Sequence, residues 1–171
     1  HEGSAEMRDL LGGKGANLCE MYNMGLPVPP FFIATTEGCI YYMEHDAMPP
    51  GIEEQVVQGL EFIRDQIDRE FGNPDNPLLL SVRSGAKFSM PGMMDTVLNI
   101  GLNQTTLKGL IKQTQNEHFA RDCWRRLLQM YGEVVLGVDK ELFEEALTKK
   151  RKRYKVSSDP ELPVKALKEL A

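Results

Sequence analysis

Apolar positions fall into blocks with helical spacing, interrupted by two strand-like runs on either side of a loop. Leu18, Met21 and Tyr22 mark one face of a helix that starts at or just after Gly15 and stops at Gly25, with Pro27 two positions on. Residues 1–9 are short and polar and read as an entry strand or arm. Pro27-Val28-Pro29-Pro30 is an extended connector, and Phe31 to Thr35 reads as a buried strand. Thr36 is placed to cap a helix through Cys39, Ile40 and Tyr41 to about Met43. After the turn at Met48-Pro49-Pro50-Gly51, an amphipathic helix runs from Ile52 to Phe71. It sets Val56, Val57, Leu60, Ile63 and Ile67 on one face and Arg64, Asp65, Asp68 and Arg69 on the other.

Asn73-Pro74-Asp75-Asn76-Pro77 is a turn cluster, and an apolar run from Leu78 ends at Arg83. A loop follows, and Val97 to Leu102 brings the chain back as a second strand. Beyond it the pattern is helical. A short helix begins at Thr105 or Thr106. A long one from Glu117 to Leu136 carries a predicted buried stripe of Phe119, Trp124, Leu127, Leu128, Tyr131, Val134 and Val135, with Arg121, Arg125, Arg126 and Gln129 as its polar remainder. Asp139 caps a further helix through Leu142, Phe143, Ala146 and Leu147, whose basic tail, Lys149 to Arg153, reads as a solvated helix end. Pro163 sits in the first turn of a last helix with Val164, Leu167 and Leu170. That pattern is cut at Ala171, which reads as a truncated chain. The fold class predicted is α+β, with an α+β subdomain over residues 1–103 and a helical one over 104–171.

Composition narrows the function classes. A net charge of −5 over 171 residues argues against bulk nucleic-acid binding, which calls for a basic footprint. No apolar run approaches a membrane span, so a soluble intracellular domain is expected. Cys19, Cys39 and Cys123 are far apart and read as buried thiols in a reducing compartment. No His, Cys, Asp or Glu set has metal-ligand spacing.

Two stretches carry candidate chemistry. Gly12-Gly13-Lys14-Gly15 stands before a helix, where free N–H groups and the helix dipole favour an anion. It is no Walker motif: Arg8 stands where the first glycine belongs, and Gly15 where a hydroxyl should follow the lysine. Nor is it a dinucleotide fingerprint, because Leu18 replaces the third glycine. A tight turn with a solvent lysine is the plain alternative. In the second stretch, Val82-Arg83-Ser84-Gly85 ends a run expected to be buried, so Arg83 must be paired or poised for a ligand, and its planar fork suits phosphate. A salt bridge to Asp95 is the alternative. Ser89 to Thr96, with Met90, Met93 and Met94, mixes small, polar and adaptable residues as a lid does, although methionines also fill cores.

These residues are recognisable. Met7 to Leu18, Gly25 to Pro30, Ser81 to Gly85, Ser89 to Asn103 and Arg125 to Tyr131 together resemble the start of the pyruvate phosphate dikinase family, along nearly the whole chain. The resemblance implies the N-terminal portion of an ATP-grasp-like nucleotide-binding domain. The family converts ATP, phosphate and pyruvate to AMP, pyrophosphate and phosphoenolpyruvate through a phosphohistidine, with Mg²⁺. By position, Lys14 and Arg83 match phosphate-contacting, catalytic residues. Gly13, Gly15, Gly92, Met93, Asp95 and Thr96 match nucleotide-binding positions, and Arg126 an arginine facing the ATP site or the docked histidine domain. Lys87 and Phe88 stand where small or variable residues are expected. The Mg²⁺ ligands, the phosphohistidine domain, the pyruvate-binding barrel and any homodimer contact are expected outside this chain, so this portion alone is expected to be inactive. The location implied is cytoplasmic, with a plastid or other organelle left open. The alternatives are a phosphoenolpyruvate synthase-type dikinase and a non-catalytic ATP-grasp remnant serving as a binding module.

Overall fold

The computed structural model describes residues 2–85 and 96–171. In chain order the helices are α1 (Arg8–Asn23), α2 (Thr36–His45), α3 (Ile52–Ile67), α4 (Gln104–Thr114), α5 (Glu117–Val134), α6 (Lys140–Tyr154) and α7 (Val164–Leu170). The strands β1 (Leu80–Arg83) and β2 (Thr96–Ile100) lie between α3 and α4 and pair as a two-stranded sheet. Mixed helix with a small sheet is the α+β class expected. Contacts group the described residues of His1–Asp68 and Arg83–Asp95 in one compact unit, and Arg69–Val82 and Thr96–Ala171 in another. The division after residue 103 rests on secondary-structure content, and the two descriptions cut the chain at different places.

In the first unit, residues 5–7 form a 3-10 turn leading directly into α1, so the expected entry strand or arm is corrected to the start of a helix. α1 also starts earlier than Gly15. It bends at Gly12, whose φ of 68° and ψ of 167° interrupt the helix, and resumes after it. Its end is as the sequence predicts: Gly25 has φ of 76°, its N–H donates to the Tyr22 carbonyl, and the Leu26 N–H donates to that of Met21. This pair of bonds satisfies carbonyls that the last turn otherwise leaves open. Phe31 to Thr35 is not a strand, and its side chains are half-buried or exposed. The run packs on glycine instead, Ile33 against Gly15 and the Phe32 ring against Gly59. Thr36 is the first helical residue of α2 rather than its cap, and its hydroxyl donates to the Asp9 carbonyl at 2.6 Å. α3 stops at Ile67, four residues short of the predicted end, because Asp68 turns left-handed at φ 52°. Of its predicted stripe only Ile63 is fully buried, and Val56, Val57 and Ile67 are exposed.

In the second unit, the 69–82 segment, β2, α4 and α5 share a core of Val97, Leu102, Leu107, Leu110, Ala120, Cys123 and Leu127, with Leu79 and Trp124 packed at its edge. Each large apolar side chain so buried contributes roughly 1.5–3 kcal/mol. Asn103, two or three positions ahead of the threonines expected to open the helix, caps α4. Its side chain accepts from Thr105 and Thr106 N–H, while the Thr106 hydroxyl accepts from Asn103 N–H. That hydroxyl, wholly buried, also donates to the Gly101 carbonyl. Asn99 Nδ2 donates to the Cys123 carbonyl and ties β2 to α5.

The face that α5 buries differs from the one predicted. Of the predicted stripe Leu127 is buried, but Phe119, Tyr131, Val134 and Val135 are exposed, and Ala120, Cys123 and Arg125 are buried instead. Asp139 caps α6 as expected, accepting from Glu141 N–H. Pro163 precedes the first turn of α7 rather than lying in it. Leu147, Leu162, Ala166 and Leu167 form a second small core. The basic tail of α6 is spent on that packing: Lys150 and Arg153 pair with Glu169, and Arg151 with Asp159. Cys19 and Cys123 are buried and their thiols pushed up by desolvation, whereas Cys39 is exposed, against expectation. Among the described residues, no helix is long and apolar enough to cross a membrane.

Candidate functional site

Lys14 owes its position to the break at Gly12. With φ 68° and ψ 167°, Gly12 occupies a region of backbone space that is essentially confined to glycine. The residues after it open a fresh helical segment, so Gly13, Lys14 and Gly15 stand in its first turn. Gly15 is buried against Ile33 and Leu11, which fixes that turn to the body of the unit, and Lys14 is half-buried beside it. Asn17, one turn on, accepts a hydrogen bond from the Arg8 guanidinium at 3.1 Å across the break.

Arg83 is the last residue of β1 and is exposed. The expectation that it ends a buried run is corrected. The apolar segment places its buried residues before the strand, at Pro77 and Leu78, and from Ser81 to Gly85 every residue faces solvent. The desolvation cost used to argue for a ligand therefore does not arise at this position.

The two candidate stretches nevertheless meet within the first unit. A Cβ placed on Gly12 would lie 2.6 Å from the Gly85 carbonyl oxygen and 2.9 Å from its carbon. Two backbones are thus in direct contact, one leading in two residues to Lys14 and the other following Arg83 by two. Gly12 and Gly85 belong to the two candidate stretches, but the sequence assigns neither a role of its own. The doubled glycine ahead of the lysine was the only available signal, and it does not identify its partner.

The remaining candidates are distributed. Thr96 opens β2 and is half-buried, and Arg126 is exposed on α5; both belong to the second unit. Gly92, Met93 and Asp95 lie outside the described residues, as do the rest of the methionine loop, Lys87, Phe88 and the alternative Arg83–Asp95 salt bridge. Beside Arg126, the buried Arg125 donates from Nε and Nη2 to Asp122 at 3.0 and 2.8 Å and from Nη1 to Gln129 at 2.9 Å. Gln129 in turn donates to Glu133. Arg125 is thereby structural. Among the described residues no group of three His, Cys, Asp or Glu is placed to hold a metal.

Residues 8–61 match the family model described as pyruvate phosphate dikinase, AMP/ATP-binding domain. The chain is 53% identical over 162 residues to a pyruvate, phosphate dikinase of Rhizobium meliloti, covering 94% of this chain and 18% of the relative. It is 46% identical over 163 residues to that of Giardia intestinalis, covering 95% and 18%. To pyruvate, phosphate dikinase 1, chloroplastic, of Zea mays it is 47% identical over 170 residues, covering 99% and 18%. The chain therefore spans about a fifth of the length of the curated relatives it matches.

Proposed function

We propose, from the premise that this chain is related over nearly its whole length to the pyruvate, phosphate dikinases, that it grips the polyphosphate of ATP for phosphoryl transfer. The observation that carries the proposal is the backbone contact between Gly12 and Gly85. It joins the lysine-bearing turn to the arginine-bearing strand end inside one compact unit. Gly13 adds no side chain to the first turn of the helix, where the dipole favours an anion, and Gly15 anchors that turn against Ile33. The Lys14 ammonium supplies a point charge and the Arg83 guanidinium a planar pair of donors. A unit charge pair at 4 Å is worth about 4 kcal/mol at an effective dielectric of about 20, so two cations neutralise much of a triphosphate.

Phosphoryl transfer demands positioning and charge neutralisation more than covalent help from the protein, and this site offers those two things. By the family resemblance, Gly92, Met93, Asp95, Thr96 and Arg126 match nucleotide-binding positions, and the chain the N-terminal portion of an ATP-grasp-like domain. Mg²⁺, whose ligands lie elsewhere in the full-length protein, would add charge neutralisation at the phosphates. The full-length protein then converts ATP, phosphate and pyruvate to AMP, pyrophosphate and phosphoenolpyruvate through a phosphohistidine on a separate domain.

The test is phosphohistidine formation from phosphate-labelled ATP by the full-length protein. Lys14→Ala and Arg83→Ala each lower its rate about 10²–10³-fold, the usual loss for one preorganised charge-stabilising donor. Their unfolding midpoints stay at the wild-type value. A near-normal rate in either variant removes that residue from the site.

A further inference from the structure

We infer that Gly12 and Gly85 act as positioning residues, forming a backbone latch that sets the spacing of Lys14 and Arg83 around the bound polyphosphate. The inference rests on the reading that those two cations grip ATP. Gly12 is constrained twice: its dihedrals are closed to other residues, and its Cβ position is filled by a carbonyl oxygen and carbon. Because both obstructing atoms are backbone, no side-chain rotation relieves them. Gly85 is constrained much less, since a Cβ there would meet the Leu11 oxygen at 3.7 Å and the Gly12 Cα at 3.9 Å, ordinary contacts. The latch is therefore asymmetric, with close fit demanded of Gly12.

Each cation is two residues from the contact, a span of at most about 7 Å, so a displacement at the latch is passed almost undiminished to both. Gly15 packs on Ile33, and Thr36 bonds to Asp9, on the α1 side; neither contact touches Arg83. The Gly12–Gly85 contact relates one stretch to the other.

A latch acting through the two cations affects phosphate recognition and leaves the nucleoside alone. In the full-length protein, Gly12→Ala lowers phosphohistidine formation about 10²-fold, the order expected for a misplacement near 1 Å, and weakens ATP binding while adenosine, measured by competition, binds as before. Gly85→Ala has a much smaller effect than Gly12→Ala. Gly85→Val, which crowds the Leu11–Gly12 backbone without imposing a forbidden φ on Gly12, reproduces the selective loss of ATP. It decides the matter if circular dichroism shows Gly12→Ala unfolded. Equal losses of ATP and adenosine in Gly85→Val, or no loss of either, overturn the latch. If Lys14→Ala and Arg83→Ala leave ATP affinity unchanged, the polyphosphate reading itself fails, whatever the glycine variants do.

Discussion

Replacing Gly109 by alanine should destabilise the chain, although propensity alone predicts the reverse. Gly109 lies within α4, where glycine-to-alanine ordinarily gains about 1 kcal/mol. Here a Cβ would stand 1.9 Å from the Pro74 carbonyl oxygen, 2.8 Å from its carbon and 3.3 Å from the Asp75 Cα. All three atoms are backbone, so the 73–77 turn has to move away from the helix, an overpacking cost of about 1–3 kcal/mol. That movement pulls on two hydrogen bonds from Gln113 Nε2, to the Asp75 carbonyl and Asn76 Oδ1, at about 1 kcal/mol each. The Lys112–Asp75 ion pair adds almost nothing, being about three-quarters exposed on both sides. The balance is a loss of about 3 kcal/mol, or about 1.5 M in urea midpoint for an m-value near 2 kcal/mol/M. Trp124 is the only tryptophan and packs on the core containing α4, so its fluorescence during urea unfolding reports the right unit. Gly38→Ala in α2 is the control: its Cβ would meet only Pro49 Cγ at 3.8 Å, so far-UV circular dichroism should show stability unchanged or raised by up to about 1 kcal/mol. An unchanged or higher Trp124 midpoint in Gly109→Ala would refute the close packing of turn on helix.

Two further outcomes follow from the charges. Asp122→Ala should cost more than Arg125→Met in the Trp124-detected transition, about 2–3 against about 1 kcal/mol, because the first strands a buried guanidinium while the second replaces it with an apolar side chain. The reverse order would show that Gln129 alone satisfies Arg125. Glu169 has its carboxyl held below the ordinary value of 4.5, first by the hydrogen bond from Lys150 and then by the charges of Lys150, Arg153 and Lys165. A depressed folded pKa gives stability that is present above 4.5 and lost as pH falls through the folded value. Glu169→Gln should therefore flatten the acid side of the stability curve; an unaltered slope below pH 4.5 would remove this carboxylate from acid unfolding.

Where a helix announces itself chemically, its end was legible. Gly25 and Asp139 both act as read, because a left-handed terminus and a short carboxylate cap are local devices. What could not be read locally was which arc of an amphipathic helix meets a neighbour. The apolar arc of α5 is wide, and β2 together with α4 selects Ala120, Cys123 and Leu127, leaving Phe119 and Val134 outside. Arg125 was assigned to the polar face for the same reason, since a partnered guanidinium and a solvated one look alike in sequence. Phe31 to Thr35 has strand composition, yet the positions available to it are beside glycines, and a hydrophobicity pattern does not record where side chains are missing.

The candidate site shows the same limit from the other side. Lys14 and Arg83 draw notice in the sequence because charge beside glycine, or at the end of an apolar run, is conspicuous. Arg83 is exposed, so the role proposed for it rests on proximity to the lysine turn rather than on the cost of an isolated charge. That proximity is created by Gly12 and Gly85, two residues with no side chain to draw notice. A glycine followed by another glycine and a lysine suits a tight turn in any protein. It becomes specific only when φ, ψ and the neighbouring carbonyl leave no space for a carbon atom. On the proposed reading the charged groups do the chemistry, while the absence of two side chains sets where those charges stand.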